Sequence, residues 1–150
     1  MTHTHVVQCV PGHTCDGGVA TPCPTGRYGY DNLCWDCGGP AYYCPGATTN
    51  PVRVSDGHYS VGGTSNLTRT GQKECAAGTY CFGGEWFDCG SEAVWCGGST
   101  SNPTTAQSGF YTLPVGVNAS RRVDETECEA GAKRVECLVR FWFGTDWRVL

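Results

Sequence analysis

Cysteine is the residue of this chain whose number and spacing could do chemistry. Cys75, Cys81, Cys89 and Cys96 are spaced C-x5-C-x7-C-x6-C. Cys9, Cys15 and Cys23 repeat the first part of that spacing, and Cys37 and Cys44 repeat the last. Cys34 stands three residues before Cys37, and Cys128 is followed by Cys137 after x8. Three chemistries fit cysteines in general: structural disulfides, a redox dithiol, or zinc ligation. The count of 12 is even and the spacing recurs, which favours disulfides. Cys34-Trp35-Asp36-Cys37 is a CxxC, but a redox CxxC opens a helix in a βαβ setting, and nothing predicts a helix after Cys37. Zinc needs reduced thiols, against an oxidising compartment. All twelve cysteines are therefore read as half-cystines, with no metal and no cofactor.

The remaining reactive residue types form no constellation. His3 and His5 alternate, but the matching positions in the next unit are Arg69 and Gly71, so they read as variable surface residues. His13 and His58 fall in variable loops, and no serine, histidine and acid set forms a nucleophile motif. Asp16 or Asp31-Asn32 offers oxygen ligands for calcium, without the acidic loop that an EF-hand needs. The chain is not expected to be an enzyme.

Few residues are available to position the cysteines. Of 150 residues, 22 are Gly and only 16% are charged; Leu occurs at 33, 67, 113, 138 and 150, and Ile not at all. Gly and Pro interrupt almost every window in which a helix could form. Burial alone cannot offset the entropy of ordering such a chain. Disulfides can supply the constraint, about 2–4 kcal/mol each. That requires an oxidising environment, so the expected location is extracellular or cell-surface, through the secretory pathway. Met1-Thr-His-Thr-His lacks the basic start and apolar run of a signal peptide, and no stretch approaches the ~20 apolar residues of a membrane span. A net charge of −4 without a basic stripe argues against nucleic acid as a partner.

The cysteine pattern divides the chain into units. Residues 2–67 form the first, in which 24–37 reads as an insertion; 68–120 form the second; 121–150 form a partial third with an apolar aromatic tail from Leu138. Thr2 to Cys9 lines up without gaps on Thr68 to Cys75, so the numbering is expected to begin inside a larger protein. Gly12 and Gly78 are expected at positive φ, and Gly17-Gly18 and Gly83-Gly84 as the next reversals, with strands of two to four residues between. Gly57-His-Tyr-Ser-Val and Gly109-Phe-Tyr-Thr-Leu alternate as strands do. Asn66-Leu-Thr68 and Asn118-Ala-Ser120 are N-glycosylation sequons at equivalent places in successive units, which marks an exposed loop able to carry N-linked glycans.

Cys75-Ala-Ala-Gly-Thr-Tyr-Cys81-Phe-Gly-Gly and Cys23-Pro-Thr-Gly-Arg-Tyr-Gly resemble the ephrin-receptor-like cysteine-rich repeats found in tandem in large extracellular proteins of unicellular eukaryotes. The resemblance covers roughly residues 2–137. It implies a small disulfide-rich fold of tandem, irregular short β-hairpin repeats forming an elongated rod, with little or no helix and no catalytic residues. Disulfide pairing stays open between two patterns. The third unit keeps the first and third cysteines, so it would close as Cys128–Cys137; the analogous pairs are Cys9–Cys23, Cys75–Cys89 and Cys81–Cys96. The sequential alternative is Cys75–Cys81 and Cys89–Cys96.

Two functions compete. One is a structural segment of a larger glycosylated surface or filament-forming protein, such as a cell-surface hair, sheath or wall, whose partners are neighbouring repeats or further copies. The other is a receptor or adhesin module binding a protein or glycan. For the second, Trp35, Trp86, Phe87 and Trp95 would form a contact patch; in the first they shield disulfides.

Overall fold

A computed structural model of the chain describes residues 8–115 and 118–128, and every regular element among them is a strand. The strands are β1 (His13–Asp16), β2 (Val19–Pro22), β3 (Arg27–Tyr30), β4 (Leu33–Asp36), β5 (Tyr42–Tyr43), β6 (Val52–Arg53) and β7 (His58–Val61), followed by β8 (Gly71–Glu74), β9 (Thr79–Phe82), β10 (Glu85–Asp88), β11 (Val94–Trp95), β12 (Thr104–Thr105), β13 (Phe110–Val115) and β14 (Asn118–Glu127). Each pairs only with its neighbour in the chain, giving two-stranded sheets throughout. The fold is small, disulfide-rich and made of hairpins, as the sequence predicts.

Turn chemistry explains the tightest hairpins. A two-residue loop matches the strand twist when both of its residues have positive φ. Gly17 and Gly18 do so between β1 and β2, at 53° and 83°, and Gly83 and Gly84 between β9 and β10, at 62° and 81°. Asp31 and Asn32 take the same conformation between β3 and β4, at 52° and 59°. Those two residue types tolerate the left-handed region because their short side chains bond locally.

Sulfur takes the place of an aliphatic core. Among the described residues the buried hydrophobic side chains are Val54 and seven cysteines: Cys23, Cys37, Cys44, Cys75, Cys81, Cys89 and Cys96. With so few aliphatic residues available, the cysteines are what the hairpins close over.

The elements recur at a step of 52 residues. β3 and β9 begin at Arg27 and Thr79, β5 and β11 at Tyr42 and Val94, β7 and β13 at His58 and Phe110. The loop hydrogen bonds recur with them. Gly26 N donates to Cys44 O at 2.8 Å, and Gly78 N to Cys96 O at 2.8 Å. Ala47 N donates to Cys23 O at 3.0 Å, and Ser99 N to Cys75 O at 2.9 Å. Later in the unit the second copy is one residue longer: Cys44 N donates to Arg69 O, and Cys96 N to Arg122 O, both at 2.9 Å. β2, β8 and β14 end at Pro22, Glu74 and Glu127, immediately before Cys23, Cys75 and Cys128.

The hydrogen-bond repeat therefore starts at Cys23 and Cys75, whereas cysteine spacing placed those starts at Thr2 and Thr68; the third unit, expected from near Arg121, lies mostly outside the described residues. Residues 24–37 hold β3 and β4, the counterparts of β9 and β10, rather than an insertion. Matching cysteine to cysteine set Cys15 against Cys81, but the backbone sets Gly29 there. The hairpin β1–β2 is instead a counterpart of β7–β8. Its sequence Gly12-His13-Thr14-Cys15 corresponds to Gly57-His58-Tyr59-Ser60, and both segments bond the turn of the hairpin that follows. Cys15 N donates to Asn32 Oδ1 and Asn32 Nδ2 donates to Cys15 O at 3.1 Å. Ser60 N donates to Gly84 O at 2.8 Å, and Ser60 Oγ to the same oxygen at 3.3 Å.

The described residues fall into two compact units. One holds the chain up to Glu74 together with Cys81–Trp86; the other holds Cys75–Tyr80 together with the chain from Phe87. The tip of the β9–β10 hairpin thus belongs to the first unit, although its residues are numbered in the second repeat.

Candidate functional site

The disulfide framework is the densest chemical feature. Four bridges are Cys9–Cys15, Cys23–Cys34, Cys37–Cys44 and Cys89–Cys96, with Cα atoms 5.6–6.0 Å apart. Cys75, Cys81 and Cys128 are also disulfide-bonded. The bridges exclude the expected pairs Cys9–Cys23, Cys75–Cys89 and Cys81–Cys96. At Cys89 and Cys96 the pairing is sequential, because the chain reverses at once between them: Val94 N bonds Ser91 O and brings the two Cα atoms to 5.9 Å. Cys34 and Cys37 go to different bridges, so the CxxC is not a dithiol pair. Cys137 lies outside the described residues, as do His3, His5 and the aromatic tail.

Two arginines fasten the last hairpin of each repeat. Arg122 is 8% exposed. Its Nη1 donates to Thr112 O at 3.0 Å, its Nε to Ala119 O at 2.9 Å, and its Nη2 lies 3.7 Å from Glu92 Oε1. Arg69 is the counterpart: Nη1 donates to Gly62 O at 3.2 Å and Nη2 to Asn66 Oδ1 at 2.6 Å. A guanidinium holds a fork of donors that a shorter or monodentate side chain cannot reproduce. In the sequence Arg69 entered only as the residue matching His3; its backbone oxygen accepts from Cys44 N and its guanidinium donates to Gly62 O and Asn66 Oδ1. The signal available was Arg69 and Arg121-Arg122 just downstream of the two sequons. Replacing Arg122 by Met leaves the Thr112 and Ala119 carbonyls without that donor, and we expect a loss of about 1–3 kcal/mol in denaturant unfolding. Replacing the exposed Arg53 by Met should cost almost nothing.

Asp88 joins β10 to the start of β14 within the second unit. Arg121 Nε donates to Asp88 Oδ1 at 2.7 Å and Ser120 Oγ to Asp88 Oδ2 at 3.1 Å. The Arg121 hydrogen bond holds the Asp88 carboxyl below its ordinary value, with a smaller help from Ser120. A carboxylate depressed on folding contributes stability above its unfolded pKa, near 4, and that contribution is lost as pH falls through the lower folded value. Acid titration followed by the Ser120 and Arg121 amide signals should show this link release below pH ~4. In Asp88→Asn the pH dependence of those signals should disappear.

The surface carries aromatic faces and the sequon asparagines. Cross-strand partners share a face, so Tyr28, Tyr30, Leu33 and Trp35 cover one side of β3–β4. Tyr30 is 67% exposed and Trp35 49%. Tyr80 and Phe82 lie two apart on β9, and Phe87 stacks on Tyr80 with centroids 5.4 Å apart. Tyr30 and Trp35 thus recur as Phe82 and Phe87, while Trp86 is exposed and Trp95 only partly so. Of the four aromatics expected to form one patch, Trp35 lies on β4, Trp86 and Phe87 are neighbours on β10, and Trp95 lies on β11. Asn66 and Asn118 are exposed. Ser120 N donates to Asn118 Oδ1 at 3.1 Å, and the Ser120 hydroxyl hydrogen is shared between Asn118 Oδ1, 2.7 Å away, and Asp88; an open depression beside them is lined by Gly90, Ser91, Glu92, Ala93, Ala119 and Ser120.

Among the described residues no three His, Cys, Asp or Glu side chains converge as a metal site, and no helix is long and apolar enough to cross a membrane. Asn32, offered by sequence as a calcium ligand, instead bonds the Cys15 backbone. No protein-family model, curated protein or solved structure matches the chain. The resemblance to ephrin-receptor-like repeats rests on the motifs alone. Fold and site together define a small disulfide-rich protein of β-hairpins, and this many disulfides is typical of extracellular or secreted proteins.

Proposed function

We propose that the chain is a non-catalytic structural repeat segment of a larger extracellular protein, glycosylated at Asn66 and Asn118 and used in a surface filament, sheath or wall. One observation carries the reading: the tip of the second repeat's first hairpin is bonded to the first repeat's last hairpin, through Ser60 and Gly84. A unit completed by the next unit's hairpin can be extended to any number, which is the economy of a repeat array. Neighbouring repeats and further copies are the partners, and the array is the elongated rod that such repeats imply.

A second reading, a receptor or adhesin module, is favoured by the exposed aromatic faces at Tyr30, Trp35, Phe82 and Phe87. Imaging the native protein without reduction, with intact mass before and after reduction, separates the two. Regular polymers of a disulfide-bonded, glycan-bearing chain support the structural reading. Dispersed monomers that bind a protein or glycan saturably move the assignment to the receptor class. Free thiols holding metal overturn both.

A further inference from the structure

The Cys9–Cys15 bridge differs from the other described bridges in two ways. In each of the other three at least one cysteine is buried: Cys23 at 2%, Cys37 at 3% with Cys44 at 0%, and Cys89 at 4% with Cys96 at 0%. Cys9 and Cys15 are both partly exposed. The bridge also ties the segment entering β1 to β1 itself, at a place where the equivalent hairpins carry no cysteine. The counterparts of Cys9 and Cys15 are Val54 and Ser60 beside β7, and Ala106 and Thr112 beside β13. Those hairpins hold by strand pairing, and β1–β2 has the same pairing from His13↔Pro22 to Asp16↔Val19, with Asn32 bonding the Cys15 backbone in addition. The equivalent hairpins pair without a cysteine at these places, and solvent reaches this bridge.

We propose that Cys9–Cys15 is a thiol–disulfide exchange site at which a second thiol becomes covalently attached to the chain. The incoming thiolate attacks Cys9 Sγ; a new disulfide forms between it and Cys9, the Cys9–Cys15 bond breaks, and Cys15 leaves as thiolate and takes up a proton from solvent. The direction follows from the surroundings of Cys9. Its Sγ lies 3.5 Å from His13 O and 3.8 Å from Val10 O. Negative charge beside two carbonyl oxygens is disfavoured, so the thiolate develops on Cys15 and Cys9 keeps the sulfur–sulfur bond. The proposal stands without the filament reading; if that reading holds, the exchange supplies covalent links between neighbouring chains.

The test is graded reduction of the intact chain. The protein is titrated with reduced glutathione, quenched with iodoacetamide and mapped by peptide mass. Cys15 should be alkylated and Cys9 glutathionylated on the order of tenfold faster than the cysteines of Cys23–Cys34, Cys37–Cys44 and Cys89–Cys96 react, because exchange rate follows access. A second arm presents, in place of glutathione, a short cysteine-containing peptide. Adducts in both arms mean that protein thiols are admitted; an adduct with glutathione alone confines the site to small thiols. Cys9→Ser/Cys15→Ser should abolish the adduct and keep the protease resistance of the rest of the chain. The proposal is overturned if Cys23–Cys34, Cys37–Cys44 or Cys89–Cys96 opens first, if these open together with Cys9–Cys15, if the adduct sits on Cys15, or if the double variant loses its fold.

Discussion

Gly84→Ala is expected to destabilise the first unit by at least about 3 kcal/mol and to release the Ser60 amide to solvent exchange. Gly84 has φ +81°, and a Cβ built there would lie 1.8 Å from Pro40 O and 2.4 Å from its carbon. Backbone on both sides leaves nothing flexible to give way. The turn must shift, and with it the Gly84 carbonyl that accepts from Ser60 N and Oγ. Gly83 is the control. It too has positive φ, +62°, but a Cβ there meets nothing within 4 Å. Gly83→Ala should therefore cost only the left-handed strain, about 1–2 kcal/mol. Denaturant unfolding with amide exchange at Ser60 distinguishes the two variants; equal losses would mean that the contact with Pro40 does not hold the hairpin tip.

The second large effect is removal of the Cys37–Cys44 bridge. Cys37→Ala/Cys44→Ala leaves no unpaired thiol, yet it deletes two sulfurs from a core made chiefly of sulfur. Restored freedom of the unfolded chain and lost burial together should cost about 2–5 kcal/mol. The residue between these losses and a folded chain is small, because Val54 is the one buried aliphatic side chain among the described residues. The Cys44 backbone bonds Gly26 N and Arg69 O, so the damage should spread from residues 26 to 69 and appear as faster exchange at Gly26 and Cys44. Loss of exchange protection confined to residues 37–44 would show that the bridge is local and the surrounding hairpins stand alone.

Much of the local structure was legible in the residues. Gly17-Gly18 and Gly83-Gly84 announce reversals because both positions of a two-residue hairpin loop need positive φ. His58 to Val61 reads as a strand from its alternation, and the absence of helix among the described residues follows from the spacing of Gly and Pro. The scarcity of Leu and Ile determines that something other than an aliphatic core must hold the chain. These are short-range matters, settled within a few residues.

Tertiary structure decided the register of the repeat and the pairing of its cysteines. Cysteine spacing aligned Cys15 with Cys81, yet the hydrogen bonds from Gly26 to Cys44 and from Gly78 to Cys96 set Gly29 at that place. A backbone repeat need not keep its side chains, so one bridge-forming position can be glycine in one copy and cysteine in the next. Arg69 and Arg122 were hidden for a related reason: each donates to a backbone carbonyl, of Gly62 and of Thr112, and such oxygens carry no residue signature. Asn32 reads as a candidate oxygen ligand for calcium until the fold brings the Cys15 backbone against it. Composition determined that this protein is stapled; only the folded backbone decided which cysteine each staple joins.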